Sequence, residues 1–214
     1  MSIQKRRTRK PLRLKNYDYT RPGAYFVTIC TRQKIQFFAL PEHAAIVSDV
    51  WGKLPEHFPT IELDEFVVMP NHVHFIVWLT EPEAGVGANV GVNVGASLNE
   101  APTALNEAPT ATRTFRRPRF DKHRPELGEV VRRFKAVVTR RLRKSGEAGF
   151  RWQRNYYEHI IRDERALSAI RQYIRDNPRR WHLDRYNPRA AGEDPQARTL
   201  WKLLQSAPLP QGRD

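Results

Sequence analysis

From Ala24 to Thr31 the chain reads Ala-Tyr-Phe-Val-Thr-Ile-Cys-Thr, a β-branched and aromatic run entered through the turn dipeptide Pro22-Gly23. This pattern predicts a first strand. Pro41 and Glu42 then open a helix with Ala45, Ile46, Val50 and Leu54 on one face. Ile61 to Met69 reads as a second strand, Pro70-Asn71 as a turn and His72 to Leu79 as a third strand, which together make a hairpin. Further on, Leu127, Val130, Val131, Phe134, Val138 and Leu142 recur at helical spacing. The segment from Phe150 to Arg162 interleaves aromatics with arginines and ends in a strand-like run. Alternation there puts Tyr157, His159 and Ile161 on one face and Tyr156, Glu158 and Ile160 on the other. Asp163 caps a last helix with Leu167, Ile170 and Ile174 as its buried stripe. Pro178 disfavours helical geometry in the residue before it, so this helix should stop at Asn177. The order of elements predicts an α+β fold, a ferredoxin-like antiparallel sheet with helices packed on one face.

Composition divides the 214 residues unevenly. Residues 1–16 form a basic arm, with Lys5, Arg6, Arg7, Arg9, Lys10, Arg13 and Lys15 and no acid. One domain is expected over 17–182. It is interrupted by a low-complexity insertion at 82–112, where Leu-Asn-Glu-Ala-Pro-Thr-Ala occurs twice in succession and Lys and Arg are absent. Residues 183–214, rich in Pro, Gly and Arg, read as an irregular tail with a short helix near Thr199 to Leu204. The single Cys30 excludes a disulfide framework and every Cys-based zinc motif. No apolar run approaches the ~20 residues of a membrane span, so the expectation is a cytosolic protein.

Charge narrows the partner. A net charge of +14 and a pI near 10.4 favour a polyanion over a small neutral substrate. Residues 113–144 concentrate Lys and Arg against only Asp121, Glu126 and Glu129. Arg132, Arg133 and Arg140 lie largely opposite the apolar stripe of their helix. They suit nucleic-acid phosphates, against the plainer reading of a solvated face. No large apolar residue on that face could insert into a membrane. Arg151, Trp152, Tyr156 and His159 extend the candidate surface. Trp152 and Tyr156 could stack bases or fill the core, and His159 could contact a phosphate or be a satisfied half-buried histidine.

Candidate chemistry sits on the third strand. His72 and His74, two apart, face the same side and could hold one divalent cation between them. Such a pair alone is more often structural, so a third ligand is needed. Tyr173 and Asn177, four apart on the last helix, share a face. The Asn177 amide oxygen is a plausible third ligand and the Tyr173 phenol would reach the cation's substrate. The alternatives are a core tyrosine and a helix-stop asparagine. A cation polarising a phosphodiester would ease attack by a phenol whose free pKa is ~10.

Pro-Asn-His-Val-His-Phe-Ile-Val, then Trp-Gln-Arg-Asn-Tyr-Tyr-Glu-His-Ile-Ile-Arg, then Tyr-Ile-Arg-Asp-Asn-Pro, resembles the REP-associated tyrosine transposases. These belong to the single-tyrosine HUH transposase-like superfamily, which cuts and rejoins single-stranded DNA. The resemblance spans roughly residues 17–182, and three motifs in order are far more specific than a histidine pair. It implies a ferredoxin-like fold, a Mg²⁺ or Mn²⁺ ion, and 5′-phosphotyrosine chemistry on single-stranded DNA hairpins. By position it implies His72 and His74 as metal ligands, Tyr173 as nucleophile and Asn177 as third ligand, where some relatives have Gln. Monomer and homodimer stay open. Two rivals remain: a His-x-His enzyme of the cupin kind, which lacks its following Glu here, and a basic hairpin-binding protein without catalysis.

Overall fold

The computed structural model describes residues 17–81 and 125–206. The expectations for the basic arm, the 82–112 insertion and residues 207–214 lie outside these. The first strand, β1 (Gly23–Cys30), starts at a glycine whose φ of +147° other residues rarely adopt. It leads to α1 (Pro41–Gly52) and a short α2 (Leu54–His57). The hairpin follows as β2 (Ile61–Met69) and β3 (His72–Leu79), with Met69 opposite His72 across the Pro70-Asn71 turn. After α3 (Leu127–Lys144) come β4 (Tyr157–Ile161), α4 (Glu164–Asp176) and α5 (Pro195–Ser206). The four strands form one sheet in the order β2-β3-β1-β4, with every neighbour antiparallel. This is the ferredoxin-like α+β arrangement the element order predicts.

The helices cover both faces of the sheet, not one as expected. Val47 and Trp51 of α1 and Val130, Phe134, Val138 and Leu142 of α3 pack on Tyr25, Val27, Val73, Phe75 and Val77. On the other side, Leu167, Ile170 and Ile174 of α4 and Leu200 and Leu204 of α5 pack on Phe26 and Ile76. The reason is visible in the strands. β1 is buried at every position after Gly23, and β3 at every position but Trp78. Strands buried on both faces read as continuous apolar runs rather than alternating ones.

The α-helix stops where expected, at Asp176 with Asn177 as its C-cap, but Asn177 keeps a right-handed φ of −54° and ψ of −42° and the chain continues as a 3₁₀ turn over Asn177–Leu183. Pro178 fits there because its own φ suits a first helical turn. The stretch after 183 is no irregular tail within the described residues, because Leu200 and Leu204 of α5 are buried in the second layer.

Rotation of α4 is set from β2. A register shift between Leu63 and Phe66 displaces Asp64 from the ladder. The Asp64 carboxylate accepts from Trp78 Nε1 at 2.9 Å and from Arg171 Nε and Nη2 at 2.9 and 2.6 Å. This fork, with Arg175 Nε donating to Glu65 at 2.7 Å, brackets Tyr173 on either side. Asp163 caps the helix by accepting from Ala166 N at 2.7 Å.

If α5 closes the second face, Leu200→Ala should lower unfolding stability by ~2–5 kcal/mol, the usual range for a buried leucine. Urea denaturation followed by circular dichroism checks this; an unchanged midpoint would mean that the segment is peripheral.

Candidate metal centre and tyrosine site

His72 and His74 project from β3 toward the layer formed by α4 and α5, and both are essentially inaccessible. Each ring is held from behind. His72 Nδ1 lies 2.8 Å from Asn71 Oδ1 and His74 Nδ1 2.7 Å from Thr28 Oγ1, Thr28 being the cross-strand partner of His74 on β1. The two Nε2 atoms converge to 3.0 Å. Asp184 Oδ2 stands 3.7 Å from His72 Nε2, and a donor atom of each of the three buried residues lies within 4.8 Å of the others. Backbone N–H of Tyr186 donates to Asp184 Oδ1 at 2.6 Å, which leaves Oδ2 for the imidazoles.

Such a donor set fits a hard or borderline divalent cation, since imidazole and carboxylate are both common ligands of such ions. The 3.0 Å between the imidazole nitrogens matches two ligands at right angles on a cation ~2.1 Å from each, as octahedral coordination requires. Burial depresses the basicity of both histidines, His74 to about 3, and nearby Arg185 pushes the same way. Both rings are therefore neutral at physiological pH, the form that ligates. Burial raises the Asp184 pKa, while the Tyr186 N–H and the Arg185 charge oppose that rise.

Tyr173, 2% exposed, places its ring centroid 5.4 Å from that of His74. Burial and the Asp184 carboxylate raise its pKa, while the Asn177 side chain one turn on acts against them. A cavity of about 460 Å³ reaches Tyr173 and Asp184 and is rimmed by Arg185, Arg198 and Lys202 together with Glu193 and Asp194. The Arg185 guanidinium also lies 5.0 Å over the Tyr186 ring, and Lys34 Nζ 5.3 Å over its centroid. Arg185, Lys202 and Lys34 bring positive charge to this side, while Arg198 is paired with Glu193.

The sequence expectations meet this geometry unevenly. His72, His74, Tyr173 and Asn177 come together, all buried, but the carboxylate that joins the histidines is Asp184, in the segment read as a tail. Tyr186, with its ring 4.8 Å from His72, also went unseen. No periodicity marks residues 181–186, and only the dense alternation of aromatic and charged residues hints at a site. His159 lies opposite Phe26 on β4, its Nε2 unpartnered and outside the cluster.

The basic surface is a separate cleft of about 620 Å³ between α3 and residues 151–154. It is lined by Lys135, Arg140, Arg143, Arg151 and Arg154 among others. Arg140 and Arg151 belong to it; Arg132 and Arg133, exposed on α3, do not. Trp152 forms a wall rather than a stacking platform. It is 9% exposed, its ring packs on Phe38 and Phe150, and its Nε1 donates to Lys135 O at 3.1 Å. Cys30 lies between the two regions, its thiol within the electrostatic reach of Lys135 on one side and of Lys34, Asp184 and Arg185 on the other.

The buried neutral histidines make stability depend on pH. Their unfolded forms protonate near 6.5 while His74 in the fold resists until about 3, so the unfolded chain binds more protons in between. Stability should be level above about pH 7 and fall as the pH drops from 6.5 toward 3. His74→Asn should make that fall shallower, read as unfolding midpoints between about pH 7 and 4.5. An equal slope in wild type and variant would contradict the buried neutral state.

No family model matches the chain. It is 37% identical over 185 residues to an uncharacterized protein of Haemophilus influenzae, covering 82% of this chain and 91% of the relative. It is 26% identical over 167 residues to a candidate REP-associated tyrosine transposase of the same organism, covering 77% of this chain and 76% of that one. Among solved structures it is similar to a REP-associated tyrosine transposase bound to a REP hairpin, with TM-score 0.44 and 18% identity over 73% of this chain; it spans 66% of that chain, just under two thirds. A candidate transposase from Deinococcus radiodurans gives TM-score 0.40 and 16% identity, with 77% of this chain and 97% of that one covered. With its three motifs in order and a relative matched along most of its length, the chain is similar to the REP-associated tyrosine transposases.

Proposed function

We propose that this protein cuts and rejoins single-stranded DNA at hairpin-forming repeats, with Tyr173 as nucleophile and a Mg²⁺ or Mn²⁺ ion held by His72, His74 and Asp184. The observation that carries the reading is the meeting of a buried tyrosine with two neutral imidazoles and a carboxylate in one site. When bound, the cation supplies charge stabilisation at the non-bridging oxygens of the scissile phosphate. The Tyr173 oxygen attacks phosphorus, forming a Tyr–O–P bond as the P–O3′ bond breaks. The phenol proton is lost and the 3′-oxygen gains one, leaving a free 3′-hydroxyl and a 5′-phosphotyrosine. Reversal by a 3′-hydroxyl reseals the strand, because the ester keeps the bond energy and no nucleotide cofactor is needed. Asn177, whose buried amide nitrogen has no partner among the described residues, is assigned to the Tyr173 hydroxyl, where it would counter the burial that keeps the phenol protonated.

Hairpin phosphates are assigned to the cleft lined by Lys135, Arg140, Arg143, Arg151 and Arg154. Gln153 N donates to Cys30 O at 2.8 Å and Arg32 N to Arg151 O at 2.8 Å. The cleft wall is thereby anchored to the end of β1, where Cys30 pairs with His72. A duplex stem on the cleft would pass its single-stranded flank around this end to Tyr173.

Incubation with labelled hairpin oligonucleotides and Mn²⁺ tests the reading. Tyr173→Phe should bind the hairpin normally, yet lose cleavage by at least ~1,000-fold, as expected when a nucleophile is removed. His72→Ala, His74→Ala and Asp184→Asn should also bind without cutting, and chelation should abolish wild-type cleavage. Full cleavage by Tyr173→Phe or after thorough chelation would sink the assignment.

Arg140→Ala with Arg151→Ala should flatten the salt dependence of hairpin binding. The logarithmic slope should shrink by ~0.7 for each single-strand phosphate the variant no longer neutralises, and somewhat more for each phosphate of a duplex stem. Arg132→Ala with Arg133→Ala should leave that slope nearly unchanged. The reverse pattern would move the DNA to another face of α3.

A further inference from the structure

We infer that Asn71 is the positioning residue that assembles the metal centre, fixing the His72 tautomer and the Asp184 turn through one buried amide. This deepens the metal assignment above and rests on it. Asn71 is wholly buried, and its two amide ends are not interchangeable. Nδ2 faces two backbone carbonyls, Lys34 O at 3.1 Å and Tyr186 O at 2.8 Å. Carbonyls only accept, so that end must be the NH₂. The other end is then the carbonyl oxygen, which can only accept. The His72 Nδ1 at 2.8 Å must therefore carry its proton. A neutral imidazole holds one N–H, so the Nε2 of His72 presents a lone pair to the cluster.

The same amide reaches the carboxylate. Tyr186 receives Asn71 Nδ2 on its carbonyl and gives its own N–H to Asp184 Oδ1 at 2.6 Å. A continuous path of hydrogen bonds thus runs from His72 through Asn71 and the Tyr186 peptide groups to Asp184, joining ligands from β3 and from the segment after α4. Lys34, the third group on this amide, also donates from Nζ to Arg185 O at 3.2 Å, so the loop after β1 is tied to the same turn. His74 is held differently. The Thr28 hydroxyl behind it can donate or accept by rotating, so His74 can offer Nε2–H to His72 across 3.0 Å or a lone pair to a cation. One ligand is locked and the other is adjustable.

Groups that orient a histidine ligand from behind typically govern metal affinity by about 10–100-fold. In the full-length Asn71→Ala protein, Mn²⁺ affinity measured by electron paramagnetic resonance without DNA should fall by ~10–100-fold. Long-range ¹⁵N–¹H correlation spectra of His72 should show an Nδ1–H tautomer in wild type and a mixture of tautomers in the variant. Thr28→Ala, which removes the rotatable partner of the other histidine, should leave the His72 tautomer unchanged. The wild-type spectrum tests the lock even if Asn71→Ala fails to fold: His72 protonated on Nε2 there would overturn it. So would a folded Asn71→Ala protein whose Mn²⁺ affinity stays within about threefold of wild type. Wild-type protein that binds no Mn²⁺ would instead overturn the metal centre, and with it the role given to Asn71.

Discussion

Two imidazoles in the dry centre of a sheet constrain everything around them. Burying a polar group without a hydrogen bond costs ~2–7 kcal/mol in an apolar medium, so each of the four ring nitrogens of His72 and His74 needs a partner. Thr28 across the ladder and Asn71 at the hairpin turn supply the outer two. The inner two face each other, and only a shared proton or a cation makes that approach favourable. This explains why the second helical layer is indispensable. Without α4 and α5 the pair would be wet, their basicity would be ordinary, and Asp184 would have no wall to rest on.

Placement of Tyr173 follows from the same layer. Tyr173 has no freedom to choose its direction, because Arg171 and Arg175 on either side are pinned to Asp64 and Glu65 of β2. The strand irregularity that frees Asp64 is thus a device for aiming a helix. Phe26 packs edge-on to the Tyr173 ring at 6.3 Å and stacks on His74 at 5.5 Å, filling the space between the two side chains with an apolar spacer. Rigid placement of this kind is what the proposed attack on a defined phosphorus would require. The open four-stranded sheet also separates this site from the cupin reading of a His-x-His strand, which needs a closed barrel.

Much of this was legible in the chain. The hairpin bounds, the two central strands and the stripes of α3 and α4 follow from periodicity, because burial imposes it directly on the side chains. His72, His74 and Tyr173 stood out because their motifs are local. Asp184 and Asn71 did not. Asp184 reaches the histidines only through the 3₁₀ turn after α4, and the meeting of β3 with a segment so distant in the chain leaves no spacing to read. Asn71 carries two roles, and its value as a turn residue hid its value as a donor and acceptor. The coverage of both sheet faces was in principle readable, since β1 and β3 never alternate. Trp152 shows the converse: residue type suggests a stacking surface where packing buries the ring.

Several tyrosines lie near the cluster, and Tyr173 is the one proposed to take the DNA. Tyr186 is the sharper competitor, with its ring 4.8 Å from His72 against 5.4 Å between Tyr173 and His74. Proteolysis of the trapped covalent adduct followed by tandem mass spectrometry of the nucleotide-bearing peptide decides between them. Attack by Tyr173 predicts a modified peptide containing Tyr173, with the nucleotide joined through its 5′-phosphate. A modification on Tyr186, Tyr156 or Tyr157, or a 3′-phosphate linkage, would contradict it.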